Sequence, residues 1–278
     1  MQTHPHHALT LEQQRQFERD GYIVIPRLFS NGEVDTIRDA FMEANADGPI
    51  PGLSEINPHY KPEDPLAFYP RMMHPHRHPE LPIGTLAKDT MLDQRVGAVL
   101  KDLFQEEPAA VQSMFYFKPP GARGQDLHQD NYYLRVKPGT CIAAWLAVDA
   151  ADPENGGMVV VPGSNHTEVV CPERADSTRF FTNDHVNIPE GMHEEPLYLN
   201  AGDVMFFNGS VIHGSYPNSS LDRFRRAFIC HYVPASSAEM SHWYEEPTTF
   251  DGNVVEIPGA TGGGPCGVGV AETVMGPH

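Results

Sequence analysis

Nowhere in this chain of 278 residues does an apolar run approach the ~20 residues that a membrane-spanning helix requires. Its first residues, Met-Gln-Thr-His-Pro-His-His, lack a charged-then-apolar signal pattern, so a cytoplasmic protein is expected. Cysteine is sparse: Cys141, Cys171, Cys230 and Cys266 include no C-x-x-C pair, and no disulfide framework is visible. Cys141 and Cys230 lie in apolar, strand-like runs and read as buried thiols. Basic residues are outnumbered, 19 against 37 acidic, for a formal charge of −18. Such a surface repels nucleic acid and anionic membranes, so neither is an expected partner. No internal repeat is visible, which argues against a solenoid.

What is present is enough apolar residue, 40%, to bury one large core or two small ones. Thr10-x-x-Gln13 and Ser30-x-x-Glu33 are capping-box signatures that open helices over 11–20 and 31–45. Tyr22–Ile25 between them reads as a short strand, and another helix is expected over 88–105. From Val111 onward the pattern is strand and turn: 111–117, 140–148, 158–161, 197–199, 204–207, 210–213 and 226–233. The Asn208-Gly209 pair reads as a tight hairpin turn between two of these strands. Helices buttressing a later double-sheet core predict a mainly β protein, a double-stranded β-helix (jelly-roll or cupin-like) barrel with flanking helices. A single domain over 1–278 is expected, with flexible residues 1–10 and a Gly/Pro-rich tail over 251–278. Residues 47–82 hold nine prolines and little periodicity. A loop of that length inside a compact domain is usually functional, and a lid is the natural reading.

Asp126-Leu-His128-Gln-Asp130 and, some eighty positions later, His213-Gly214-Ser215 make a candidate metal site. In an extended strand, residues two apart point to one side, so His128 and Asp130 can reach one metal together. His213 from a distant strand would complete one face of an octahedron and leave three positions open, as non-heme Fe(II) oxygenases need. Arg225 opens the next apolar strand, and a guanidinium beside such a site gives bidentate recognition of a carboxylate. The same three ligands plus water would also serve a zinc hydrolase, which has no use for Arg225. A non-catalytic β-barrel binding protein is the third possibility.

These residues resemble the phytanoyl-CoA dioxygenase family of Fe(II)/2-oxoglutarate oxygenases, which includes ectoine hydroxylase. The resemblance runs from about Leu11 to Tyr232. It is carried by Gln112 to Gly121, His128-Gln-Asp130, Trp145, Asn155 to His166, and His213-Gly-Ser215 through Phe224-Arg225-Arg226-Ala227. It implies His128, Asp130 and His213 as iron ligands, Arg225 and Ser215 as partners of the 2-oxoglutarate carboxylate, and Trp145 in the co-substrate pocket. The interval from His213 to the arginine is one residue longer than usual in the family. That brings Arg223 and Arg226 into contention, although the Phe-Arg-Arg-Ala context favours Arg225.

The implied activity consumes 2-oxoglutarate and O2, releases succinate and CO2, and hydroxylates an unactivated C–H bond of a small molecule. Gln112, Lys118, Tyr132 and Tyr133 are the expected substrate contacts, and a monomer or homodimer is expected. The acidic surface argues against a coenzyme A ester as substrate, unless Lys118, Arg123, Arg135 and Lys137 gather into a local basic pocket. His74-Pro-His76-Arg-His78 reads as a polar lid edge rather than a metal tract.

Overall fold

A computed structural model describes residues 8–57, 60–262 and 264–267. Its strands in chain order are β1 (Tyr22–Ile25), β2 (Met72–Met73), β3 (Pro108–Tyr116), β4 (Gln125–His128), β5 (Ile142–Ala147), β6 (Met158–Val160), β7 (Glu173–Arg174), β8 (Asp184–His185), β9 (Glu195–Pro196), β10 (Val204–Asn208), β11 (His213–Ser215), β12 (Ala227–Pro234) and β13 (Thr248–Thr249). The helices are α1 (Leu11–Asp20), α2 (Asn31–Ala44), α3 (Pro65–Phe68), α4 (Pro82–Met91), α5 (Gln94–Phe104) and α6 (Asn131–Leu134). A major sheet runs β1-β10-β5-β12-β3-β13, with β2 also paired to β3; a minor sheet runs β4-β11-β6-β9. The pairings are antiparallel. This is the jelly-roll arrangement that the strand pattern predicts.

The two-residue period sorts side chains to the two faces of the major sheet. Phe228, Cys230 and Tyr232 of β12 join Ile142, Ala144 and Leu146 of β5 against the helices. Ala227 and Ile229 point the other way, with Trp145, Met205 and Phe207, toward Met158 and Val160 of the minor sheet. Phe41 of α2 stacks on Phe115 of β3 at 4.1 Å between ring centres, which anchors the helical layer. The capping boxes form as predicted: Thr10 Oγ1 accepts from Gln13 N at 3.2 Å, and Ser30 Oγ from Glu33 N at 3.3 Å. Among the described residues no helix is long and apolar enough to cross a membrane.

Four expectations are corrected. The single helix over 88–105 is two helices, because Asp93 interrupts it and caps α5 by accepting from Arg95 N at 2.8 Å. Asn208-Gly209 is no hairpin turn: β10 belongs to the major sheet and β11 to the minor one, so the turn carries the chain between sheets. A side chain at Gly209 would stand 2.2 Å from Cys141 Sγ, so close packing requires the glycine here. Residues 197–199 form no strand; β9 is Glu195–Pro196, and Leu199 makes one bridge to Ala151. Finally, Cys171 and Cys266 form a disulfide across 95 residues, a separation at which spacing carries no signal. Cys141 and Cys230 are free and buried.

The expected flexible end lies largely outside the described residues, as does the last part of the tail. The described tail docks on the core: Gly259 bridges Met240, and Arg135 donates to Thr261 O at 2.9 Å. The proline-rich segment is likewise tied down. Met73 N donates to Leu53 O and His74 N to Ser113 O, both at 2.8 Å. Burial lowers the pKa of His74 to about 4 and of His76 to about 3, with neighbouring cations adding to the effect. A histidine held neutral in this way protonates more readily once released. Stability of this contact is therefore full above the ordinary value of 6.5 and is lost as pH falls below it toward 4. Protection factors for amide exchange at Met73 and His74 should fall over that window; unchanged protection down to pH 4 would show that the two rings do not hold the segment.

Candidate metal centre

β4 and β11 are neighbours in the minor sheet, and His128 lies directly opposite His213. Directly opposed residues share a face, and the two imidazole centres are 4.2 Å apart. The ladder also slips: β11 advances two residues between His213 and Ser215 while β4 advances three between His128 and Gln125. Residues three apart on a regular strand face opposite sides, so this bulge is what turns both Gln125 and His128 into one cavity.

Asp130 reaches the site by a route the sequence pattern did not foresee. β4 ends at His128, and Asp130 has helical angles, φ −60 and ψ −35, at the start of α6. The shared-strand reasoning therefore fails, yet the carboxylate arrives: Oδ1 is 3.5 Å from Nε2 of both His128 and His213. The three ligand atoms lie within 4.8 Å of one another, and all three residues are buried. His128 Nδ1 bonds to Asp126 O at 2.7 Å and His213 Nδ1 to Val211 O at 2.9 Å. A carbonyl can only accept, so each ring carries its proton on Nδ1 and aims the Nε2 lone pair inward. Two lone pairs and a carboxylate oxygen converging in a buried space suit a divalent cation.

The electrostatics agree. Burial alone would raise the Asp130 carboxyl, but His213, His231 and His128 outweigh it and hold its pKa well below the ordinary range. Burial lowers His213 to about 4 against the pull of Asp130, keeping it neutral as a ligand must be. His231, which sequence reasoning passed over, has Nε2 at 2.9 Å from Asp130 Oδ2 and so leaves Oδ1 facing the two histidines. The signal for it was there: His231 is two residues after inward-facing Ile229 on β12.

The triad opens on a small cavity of about 30 Å³ also lined by Gln125, Tyr116, Trp145, Met158, Phe207, Ser215 and Arg225. Arg225 is buried, donates from Nε to Gly156 O at 2.9 Å, and lies 5.3 Å from the Trp145 ring centre. Its Nη1 has no hydrogen-bond partner among the described residues. Burial lowers its pKa to about 10, opposed by Tyr116 and Asp149, which leaves it charged at neutral pH. The neighbouring arginines are otherwise engaged: Arg223 binds Asp152 and Glu154, and Arg226 binds Asp149.

The expected substrate contacts do not gather here. Gln112 is buried on β3 opposite His231 and does not line the cavity. Tyr132 and Tyr133 pack in a separate cluster with Val111 and Val233; the Tyr133 hydroxyl donates to Asp184, and Tyr132 Oη sits 3.2 Å from Cys266 Sγ. Lys118 is buried behind Ser215, its Nζ 2.7 Å from Ser215 Oγ, and burial followed by Arg225 pushes its pKa well below the ordinary value. Nor do the four expected basic residues gather into one pocket: Arg123 pairs with Asp64, Lys137 with Glu239, and Arg135 with tail carbonyls.

Residues 17–227 match the family model described as phytanoyl-CoA dioxygenase, most of the chain. This chain belongs to the phytanoyl-CoA dioxygenase family. A relative from Oryza sativa subsp. japonica, phytanoyl-CoA dioxygenase 1, is 27% identical over 268 residues, covering 85% of this chain and 93% of that protein. Among solved structures, the non-heme alpha ketoglutarate dependent carbocyclase SnoK of nogalamycin biosynthesis superposes with a TM-score of 0.64 at 23% identity, over 85% of this chain and 89% of that one. EctD from S. alaskensis, solved with 2-oxoglutarate and 5-hydroxyectoine, gives 0.63 at 20% identity over 85% and 80%. At these identities the two structures speak for the shared fold alone.

In this family member, His231 offers the first test of the site. Outer partners of ligating carboxylates typically govern metal affinity by about 10- to 100-fold. His231→Phe should weaken divalent-metal binding by that order, read by anaerobic titration with Fe(II), while the melting curve stays cooperative. Unaltered affinity would separate His231 from the centre.

Proposed function

We propose that this chain is an Fe(II)- and 2-oxoglutarate-dependent oxygenase that hydroxylates an unactivated C–H bond of a small molecule. The observation that carries the reading is Arg225: a buried guanidinium in the same cavity as the triad, whose Nη1 has no hydrogen-bond partner among the described residues. A buried charge is retained only where something compensates it, and a co-substrate carboxylate would do so. A zinc hydrolase has no need of that cation, and the triad with its arginine gives a binding-only protein nothing to do.

His128, Asp130 and His213 would hold the metal on one face and leave the cavity side open. With iron and 2-oxoglutarate bound, the group supplies oxidation by O2, with succinate and CO2 released as the substrate gains a hydroxyl. Arg225 and Ser215 would grip the far carboxylate, while Trp145, Met158 and Phe207 keep water from the site. Segment 47–82 is proposed as the lid: Arg71, bound to Glu55, donates to the hydroxyl of the cavity residue Tyr116 at 2.8 Å. A cytoplasmic setting remains the expectation from the sequence.

Two measurements test this. Protein loaded with Fe(II) under anaerobic conditions should consume O2 and form succinate only when 2-oxoglutarate is present, and His128→Ala or His213→Ala should lose both iron and turnover. Zinc-dependent hydrolysis without O2 uptake would sink the proposal. Separately, removing a buried charge partner costs about 2–5 kcal/mol, or roughly 30- to several-thousand-fold in affinity. Arg225→Ala should raise the 2-oxoglutarate requirement on that scale, and Arg223→Ala and Arg226→Ala should leave it nearly unaltered; the opposite ranking would assign the carboxylate to a different arginine.

A further inference from the structure

Lys118 stands out among the buried cations because its ammonium is fully occupied inside the protein. Nζ is 2.7 Å from Ser215 Oγ, 2.8 Å from Tyr216 O and 3.3 Å from Gly156 O. An ammonium has three N–H donors, and these three acceptors use all of them, so none remains for a substrate. The stem is built in as tightly. Gly156 has φ +87, and a side chain there would come within 2.6 Å of Lys118 Cδ.

The consequence falls on Ser215. A hydroxyl has two lone pairs and one hydrogen. Ser215 Oγ accepts from Lys118 Nζ and, at 3.3 Å, from Gln125 N. With both lone pairs taken, the hydrogen is what Ser215 has left to offer, and Ser215 lines the cavity together with Arg225. Lys118 also braces the arginine. Its backbone carbonyl accepts from Arg225 N at 3.1 Å, and its Nζ shares the Gly156 carbonyl with Arg225 Nε.

We propose that Lys118 is a positioning residue for the distal carboxylate of the co-substrate: it makes Ser215 an obligate hydrogen-bond donor and fixes the carbonyl that orients Arg225. This rests on the oxygenase reading above. An arriving carboxylate favours the ammonium form of Lys118, so the donor pattern holds in the complex. The device selects for 2-oxo acids with a second carboxylate and is indifferent to the keto-acid end that faces the metal.

The test is anaerobic calorimetry of the full chain loaded with Fe(II), titrated with 2-oxoglutarate and with 2-oxopentanoate, which has a methyl group in place of the distal carboxylate. Lys118→Met should weaken 2-oxoglutarate roughly 10- to 100-fold, the scale of one charge-assisted hydrogen bond, and leave 2-oxopentanoate within about twofold. Ser215→Ala should do the same, and the double variant should be no worse than about twofold beyond either single one, since both remove one donor. Equal weakening of the two acids, or losses that multiply in the double variant, would overturn the proposal. If Lys118→Met fails to fold, Lys118→Ala takes its place in the same titration: a loss confined to 2-oxoglutarate supports the proposal, and no loss or an equal loss for both acids overturns it. Wild-type protein that binds no 2-oxoglutarate defeats the oxygenase reading itself, a result visible before any substitution is made.

Discussion

The antiparallel pairing of β4 with β11 sets His128 opposite His213, and the rest of the site is arranged around that register. A slip of one residue on either strand would send one imidazole to the far face, because side chains alternate with a period of two. The bulge in the same ladder adds the second constraint. It turns Gln125 into the cavity beside His128 and brings its backbone N–H within reach of Ser215 Oγ, so the candidate metal-binding histidines and Ser215 share one short stretch of sheet. Asp130 at the start of α6 and Arg225 ahead of β12 complete the site from outside this pair of strands.

Burying charge in that space is costly, and the structure deals with the two signs differently. The single carboxylate, Asp130, is surrounded by three imidazoles and held ionised. The cations, Arg225 and Lys118, sit side by side and face backbone carbonyls and a hydroxyl rather than a carboxylate. Desolvation, and after it the repulsion of Arg225, lowers the pKa of the lysine, in a chain whose overall charge is strongly negative.

The proline-rich segment shows how an edge can be built without continuous pairing. Proline removes backbone donors, so only Met72 and Met73 join the sheet beside β3. Its other attachments are side chains: Leu53, Leu66 and Met72 are buried, Asp64 pairs with Arg123, Arg71 donates to the Tyr116 hydroxyl, and burial keeps the His74 and His76 rings neutral. Such a segment gains little from sheet hydrogen bonding and is held by side-chain packing instead.

Features that depend on short-range chemistry were legible in the chain itself. Capping boxes specify α1 and α2 because both partners lie within four residues, and the alternation of β5, β10 and β12 follows from the pleat. His128-Gln-Asp130, His213-Gly-Ser215 and Phe224-Arg225-Arg226-Ala227 are recognisable because each is a short motif within the stretch that matches the family. What the chain could not state by itself is where distant segments meet. Whether Arg223, Arg225 or Arg226 faces the cavity depends on Asp149, Asp152 and Glu154 capturing the other two. The places of Gln112, Tyr132 and Tyr133, the link from Cys171 to Cys266, and the retreat of Lys118 behind Ser215 are likewise set by packing across 80 or more residues in the larger cases. Local propensity carries no information about such contacts, because they are selected only when the two sheets close on each other and every buried polar group must find a partner.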